Sequence, residues 1–299
     1  MSIKKTFLGK KLYEFLEKKN LIIYPVTYCN LFKGITKWFR INPKFFIIGV
    51  GRSGTFALYD NLVKNKNGYV TPIKEIHFFD SYFYKGNNWY KAHFPTIFHK
   101  FFLENLLKQQ IITCDATVSY FHTEVAIKRI SQCIPEAKLI VMLRNPVDRA
   151  YSHYNIRKKK RNLDSFEEII KKELKELRKV ENFEDDEKIL KKYEIYPYLS
   201  RGIYVKQLEI WEKYFDKSQI LLIKSEDFFN NPLDSLQKIY RFLDMKKYNF
   251  KNISADKVNK NSSGFNDEID SKLRKELEDF FKPYNEELNK NWNINFKWQ

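Results

Sequence analysis

The sequence predicts an α/β fold, a P-loop-like parallel β-sheet flanked by helices. Three observations predict it. Short apolar runs of strand length recur along the chain, a turn and a helical pattern follow each run, and the first turn is rich in glycine. Strands that alternate with helices are typical of a parallel sheet, whose strands are buried on both faces.

The first strand–turn–helix unit contains a candidate anion-binding loop. The run Phe45–Val50 (FFIIGV) is short and wholly apolar, as expected of a buried strand. The turn Gly51–Thr55 (GRSGT) follows it, and Phe56–Lys64 has a helical pattern. Amides at the start of a helix point toward an anion, and the helix dipole favours negative charge there. The loop is therefore suited to bind phosphate or sulfate.

Two further units repeat this order. Lys138–Leu143 (KLIVML) is the second predicted strand, Arg144–Pro146 is a turn, and Val147–Asn155 is a helix that Pro146 opens. Gln219–Ile223 is the third predicted strand, and a helix runs from Pro232 to about Leu243. The recurrence favours one sheet with helices on its faces.

We expect one large domain over residues 44–299, preceded by an N-terminal leader or a helix packing on the core over residues 1–43. The leader has a helical pattern from about Phe7 to Lys18. A charged helical insertion is predicted at about 157–195. Its apolar residues fall near helical spacing, which leaves three structures open: an amphipathic helix over the sheet, a projecting arm, or a solvated helix face without function. These apolar residues are Phe166, Ile169, Ile170, Leu174, Leu177 and Val180.

The chain is strongly basic, with 54 Lys and Arg against 37 Asp and Glu and a net charge of +17. Its 43% hydrophobic content argues against intrinsic disorder, because that much apolar surface supports a core. A protein this basic tends to bind anions such as nucleic acid, phosphorylated cofactors, acidic polysaccharide or a membrane surface. Charge alone does not choose among them.

The three cysteines, Cys29, Cys114 and Cys133, are widely spaced, which favours free thiols in a reducing compartment over a disulfide framework or a zinc cluster. No run reaches the roughly 18–20 apolar residues that span a bilayer. The first residues lack the features of a signal peptide. We therefore expect a cytoplasmic protein with no bound metal and no transmembrane segment, and we leave peripheral membrane contact open.

The glycine-rich loop departs from a nucleotide-triphosphate loop at two positions. Gly49 and Gly54 have Walker A spacing, but the Lys and Ser/Thr that should follow are Thr55 and Phe56. The cation lies inside the loop, at Arg52. A kinase or NTPase stays an alternative, but this chain lacks the lysine that would bind the phosphates and the hydroxyl that would bind Mg²⁺.

Two other segments carry candidate site residues. Arg144, at the end of the second predicted strand, can form a bidentate contact with a phosphate, and Ser152 lies two helical turns further on. In KEIHFFD, Glu75 stands between Lys74 and His77 and precedes two aromatic residues. Partial burial there would make Glu75 a useful general base.

Together these segments resemble the PAPS-dependent sulfotransferases. GVGRSGT is similar to their phosphosulfate-binding loop and LRNPVDRAYSHY to their 3′-phosphate-binding segment. KEIHFFD resembles the acceptor-site segment of the heparan sulfate 3-O-sulfotransferase branch and its bacterial relatives. Further similar segments are Ser200–Tyr204, Asn259–Phe265 and the terminal FFKPYNEELNKNW. The resemblance implies the sulfotransferase fold.

The resemblance also implies a cofactor, PAPS (3′-phosphoadenosine 5′-phosphosulfate), which is released as PAP without help from a metal. Arg144 and Ser152 would bind its 3′-phosphate, and Lys260 and Gly264 would belong to a loop that closes over it. The residues implied to hold the 5′-phosphosulfate are Gly51, Arg52, Ser53, Gly54 and Thr55.

By the same resemblance, Glu75 would deprotonate the acceptor, His77 would support the site and Arg52 would stabilise the charge on the bridging oxygen as sulfate leaves. The acceptor would be a hydroxyl or amine of a carbohydrate or glycolipid. Whether that carbohydrate or glycolipid is itself anionic is left open. Heparan sulfate enzymes have a lysine where this chain has Ala116, and the C-terminal cysteine pair of the animal branch is absent. These departures leave the acceptor unassigned.

A basic nucleic-acid-binding protein is a further alternative, motivated by the charge and the 17% aromatic content. It would require a basic face or a recognised binding fold. Most aromatic residues instead lie in apolar runs expected to form core. We expect no nucleic-acid partner.

Overall fold

A computed structural model of the chain describes residues 37–63, 68–69, 74–105, 110–179, 196–245 and 269–298. Its main sheet has four parallel strands in the order β4–β1–β5–β6, and a small parallel pair joins β2 to β3. The strands are β1 (Phe45–Gly49), β2 (Gly68–Tyr69), β3 (Gln110–Ile111), β4 (Cys114–Asp115), β5 (Lys138–Leu143) and β6 (Ile220–Lys224). The predicted fold class, a parallel sheet flanked by helices, is confirmed.

The helices follow the strands in the predicted alternation. They are α1 (Thr55–Val63), α2 (Gly86–Lys91), α3 (Ile97–Asn105), α4 (Glu124–Cys133), α5 (Pro146–Lys158), α6 (Phe166–Leu177), α7 (Tyr204–Glu212), α8 (Ser225–Asn230), α9 (Pro232–Phe242) and α10 (Ser271–Trp292). Across the described ranges, no helix is both long and apolar enough to cross a membrane. The helix expected at about 7–18 lies outside the described residues.

Side chains of the central strands alternate between two apolar layers, as the period of a strand requires. In β1, Phe46 and Ile48 pack into one layer and Phe45 and Ile47 into the other, and all four are fully buried. This two-sided burial explains why the strand reads as an unbroken apolar run.

The charged insertion contains an amphipathic helix, α6. Ser165 caps its start, accepting a hydrogen bond from the amide of Glu168, whose side chain bonds back to the amide of Ser165. Its buried face packs with α5 and α10 in a third apolar cluster, beside the sheet layers. The described part of this segment is an amphipathic helix that packs on two other helices.

The buried face of α6 also carries Glu173, which is fully buried. Its carboxylate accepts hydrogen bonds from the backbone amides of Tyr198, Leu199 and Ser200 at 2.8–3.0 Å. The carbonyl of Tyr198 in turn accepts a hydrogen bond from the guanidinium of Arg149. The insertion therefore fixes the chain segment that follows it.

We predict that Glu173→Ala lowers the free energy of unfolding by about 3 kcal/mol or more, because three buried amides lose their acceptor at about 1–3 kcal/mol each. Urea denaturation would measure it. Glu167→Ala, an exposed change on the same helix, should shift stability by less than about 0.5 kcal/mol. Equal effects of the two changes would contradict the role of Glu173.

Candidate active site

The segments that follow β1, β4 and β5 meet at one edge of the sheet around a cleft of about 680 Å³. Parallel strands bring their carboxyl ends to the same edge, which is where open α/β sheets place ligands. The lining is strongly cationic: Arg52, Lys74, Arg144, Arg149 and Arg201 face the acidic side chains of Asp60 and Glu75.

The glycine-rich loop leads from β1 into the first turn of α1. Gly54 has a φ of +89°, and a Cβ there would lie 2.6 Å from the ring of Phe229, so only glycine fits without strain. The hydroxyl of Ser225 donates a hydrogen bond to the carbonyl of Ser53 at 2.7 Å. The buried hydroxyl of Ser53 has no hydrogen-bond partner among the described residues. The loop is thus fixed and keeps a polar atom for a ligand.

Arg52 links this loop to the segment after β5. Its Nε donates a hydrogen bond to Oγ of Ser152 at 3.1 Å, and its carbonyl accepts one from Arg144 at 3.2 Å. The carbonyl of Arg144 accepts a hydrogen bond from the hydroxyl of Tyr204 at 2.8 Å. Arg52 itself has a φ of +79°, a left-handed conformation that a non-glycine residue adopts at a cost.

The guanidinium groups crowd one another. Burial lowers the pKa of Arg52, and repulsion from Arg144 and Arg149 lowers it further. Burial, and then repulsion from Arg149 and Arg201, lower the pKa of His153 to about 3. Within the described residues, Arg144 forms no ion pair. An anion in the cleft would relieve this repulsion.

Glu75 stands beside two basic side chains at the rim of the loop. Its Oε1 lies 3.8 Å from Nζ of Lys74, and its Oε2 lies 3.6 Å from Nε2 of His77 and accepts a hydrogen bond from the amide of Val118 at 3.3 Å. Burial raises the pKa of Glu75, although Lys74 and His77 oppose the rise. A carboxylate in this state is suited to accept a proton.

His77 is oriented from its other nitrogen. Its Nδ1 lies 3.0 Å from Oδ2 of Asp80, and the hydroxyl of Ser119 donates a hydrogen bond to the same oxygen at 2.5 Å. Although burial alone would raise it, the hydrogen bonds from Ser119 and His77 hold the pKa of Asp80 below its usual value. Glu75, His77 and Asp80 thus form a chain that ends at the cleft.

The structure brings most of the predicted site residues together. Gly51, Arg52, Gly54, Thr55, Glu75, His77 and Arg144 all line the cleft. Ser53 is buried in the loop beside them, and Ser152 reaches the cleft through its hydrogen bond with Arg52. Lys260 and Gly264 lie outside the described residues.

Sequence reasoning missed four residues of this site. Asp80 is the last residue of the KEIHFFD segment, but only the fold shows that its carboxylate faces His77. Arg149 is fully buried and still lines the cleft. Arg201 lies in the segment Ser200–Tyr204, which resembles the family, but only the fold shows that it lines the cleft. Ser119 comes from a segment with no local signal, so only tertiary structure identifies it.

The fold and this cleft define an α/β protein with a glycine-rich loop and a cationic cleft at the carboxyl edge of a parallel sheet. A family model for the sulfotransferase domain matches residues 42–293, and the chain belongs to this family.

The relatives agree with the branch that the sequence segments indicated. The chain is 32% identical over 206 residues to heparan sulfate glucosamine 3-O-sulfotransferase 3B1 of Mus musculus, an alignment that covers 69% of this chain and 47% of the relative. It is 29% identical over 265 residues to heparan sulfate glucosamine 3-O-sulfotransferase 5 of the same species, covering 82% and 71%. The chain thus spans about half the length of the first relative.

A solved structure confirms the fold. The crystal structure of a sulfotransferase from Alicyclobacillus acidocaldarius superposes with a TM-score of 0.62 at 24% identity, covering 86% of this chain and 98% of that one.

Proposed function

We propose that this protein transfers a sulfuryl group from PAPS to a hydroxyl or amine of a carbohydrate. One observation carries the proposal: a single cleft is lined by an amide-rich loop, by several arginine side chains and by the partly buried carboxylate of Glu75. The first two features suit a donor with several anionic groups. The third suits removal of a proton from an acceptor.

The residues present fit PAPS. The hydroxyl of Ser53 lacks a partner within the described residues, and the loop amides lie at the start of α1. Arg52 and Arg144 provide concentrated positive charge for the phosphosulfate and the 3′-phosphate. PAPS carries anionic groups at both the 5′ and the 3′ position of its ribose, which matches two separate positions of positive charge in the cleft.

When bound, PAPS supplies a sulfuryl group on its 5′-phosphate. After the sulfuryl group is transferred, that phosphate leaves as part of PAP. Glu75 would accept the proton of the acceptor hydroxyl, and Lys74 and His77 hold its carboxylate in place. Arg52 and the loop amides would hold the 5′-phosphosulfate and stabilise its negative charge, and Arg144 would hold the 3′-phosphate. Preorganised donors of this kind need no reorganisation during the reaction.

A carbohydrate acceptor is supported by the relatives, two of which are named as heparan sulfate glucosamine 3-O-sulfotransferases. The resemblance implies a lysine at the position of Ala116 in heparan sulfate enzymes, whereas the side chain of Ala116 is fully buried and provides no cation to the cleft. We therefore propose carbohydrate as the acceptor class without extending the assignment to heparan sulfate.

We predict that Arg144→Ala weakens PAP binding by about tenfold to hundredfold, the loss expected when a charge-assisted hydrogen bond of about 1.5–3 kcal/mol is removed. AMP, which lacks the 3′-phosphate, should lose much less affinity. Isothermal titration with both nucleotides measures the difference. Equal losses for the two nucleotides would refute the assigned role of Arg144.

We predict that Glu75→Gln lowers kcat by about 10²–10⁴-fold, because the amide cannot accept the proton. PAP affinity should stay within about twofold, since the carboxylate acts on the acceptor and not on the donor. Transfer of labelled sulfate and PAP titration measure the two quantities. Glu167→Gln, an exposed change on α6, is the matched control. Near-normal transfer by Glu75→Gln would eliminate Glu75 as the base.

We predict that kcat/KM falls in acid through a pKa above the ordinary glutamate value of 4.5, because burial raises the pKa of Glu75 and the protonated form cannot act as a base. Lys74 opposes that rise, so Lys74→Met should move the acid limb of the pH profile to higher pH. A limb that moves to lower pH, or that lies at the ordinary value in the unmodified protein, would contradict the assignment.

A further inference from the structure

We propose that Asp115, a buried carboxylate behind the cleft, is a positioning residue that holds the catalytic segment carrying Glu75 and His77 in its reactive conformation. The inference rests on the proposed function, in which Glu75 is the base. Asp115 lies at the end of β4, is fully buried and does not line the cleft.

The carboxylate of Asp115 collects three hydroxyl groups. Its Oδ1 accepts a hydrogen bond from Thr117 at 2.7 Å, and its Oδ2 accepts hydrogen bonds from Tyr90 at 3.0 Å and Tyr120 at 3.1 Å. Within the described residues, no Lys, Arg or His forms an ion pair with it. Burying a carboxylate without a neighbouring cation has a large desolvation cost, which its hydrogen bonds must offset.

Two of these hydroxyl groups continue to the catalytic segment. Oγ1 of Thr117 accepts a hydrogen bond from the amide of His77, and the hydroxyl of Tyr120 accepts one from the amide of Phe79, both at 3.3 Å. Because each hydroxyl donates its proton to Asp115, its lone pairs are directed to these amides. Asp115 therefore sets the direction of both contacts.

The segment needs such support. Glu75 has a φ of +60° and His77 a φ of +54°, left-handed conformations that cost a non-glycine residue about 1–3 kcal/mol each. The amide of Glu75 also donates to the carbonyl of Ala116 at 3.0 Å, next to Asp115 in the chain. Two strained residues are thus tied at adjacent points to the segment that Asp115 organises.

The support that Asp115 gives does not act through its charge. Burial raises the pKa of Asp115 to about 6, opposed by the three hydroxyl groups, and Glu75 contributes to that rise. Besides burial, the groups that shift the pKa of Glu75 are Lys74, His77 and Asp80 from its own segment and the amide of Val118 from the turn after β4. Asp115 therefore acts on the conformation of the segment and not on the ionisation of Glu75.

Asp115→Asn tests the proposal. The amide keeps one acceptor oxygen and places a donor NH₂ group against hydroxyls that donate, so at least one branch loses its acceptor. We expect kcat to fall by about tenfold to hundredfold, as for a base displaced on the order of 1 Å. The acid limb of kcat/KM should stay in place, because Asp115 is not among the groups that shift the pKa of Glu75, and PAP affinity should stay within about twofold.

Tyr120→Phe is the second variant, in case Asp115→Asn does not fold. It removes one hydroxyl from Asp115 and the acceptor for the amide of Phe79, so kcat should fall while PAP binding persists. Tyr240→Phe is the matched control: its side chain is also buried, but it lies on α9 in the other apolar layer and does not line the cleft. Its kcat should equal that of the unmodified protein.

The proposal is overturned if Asp115→Asn and Tyr120→Phe keep full kcat, or if kcat and PAP affinity fall together, which would indicate general structural damage. Failure of the proposed function is distinguishable, because then Glu75→Gln would leave transfer unchanged or the unmodified protein would not transfer sulfate.

Discussion

The parallel pairing of β1 with β4 on one side and β5 on the other is the constraint on which the site depends. Because these strands run in one direction, the segments that follow them emerge at the same edge, although they are far apart in sequence. The glycine-rich loop, the turn that carries Val118 and the segment of Arg144 meet there as a result. Glu75 joins them because its amide is bonded to the carbonyl of Ala116, directly after β4.

Positive charge at this edge is concentrated beyond what the neighbouring acids neutralise. Repulsion among Arg52, Arg144 and Arg149 is tolerated by the folded protein, and it lowers the pKa of Arg52 after burial has already done so. Such an arrangement is unfavourable for stability alone and favourable for capturing an anion. The overall charge of +17 fits several kinds of anionic ligand, whereas the position of these few arginines fits a nucleotide with phosphates at separate sites.

The fold could be predicted from the sequence where burial of a segment leaves a local pattern of apolar residues. Phe45–Gly49 and Lys138–Leu143 are recognisable because a strand buried on both faces must be apolar at every position. β4 is only two residues long, too short for any periodic signal, yet it places Asp115 behind the segment of Glu75. Glu75 and His77 were recognisable from their segment, but the roles of Asp80, Ser119 and Asp115 depend on side-chain contacts that chain order does not encode. The charged insertion illustrates the same limit, since Glu173 looks like another surface acid until its three amide partners are seen.

The central claim is that this cleft binds PAPS and passes its sulfuryl group to a carbohydrate. The most direct measurement incubates the purified protein with sulfur-labelled PAPS and a panel of carbohydrate acceptors, and follows both the label and the PAP that forms. The account predicts label on at least one carbohydrate with PAP released in equal amount. Absence of transfer to every acceptor, together with no measurable affinity for PAP in a folded protein, would contradict it.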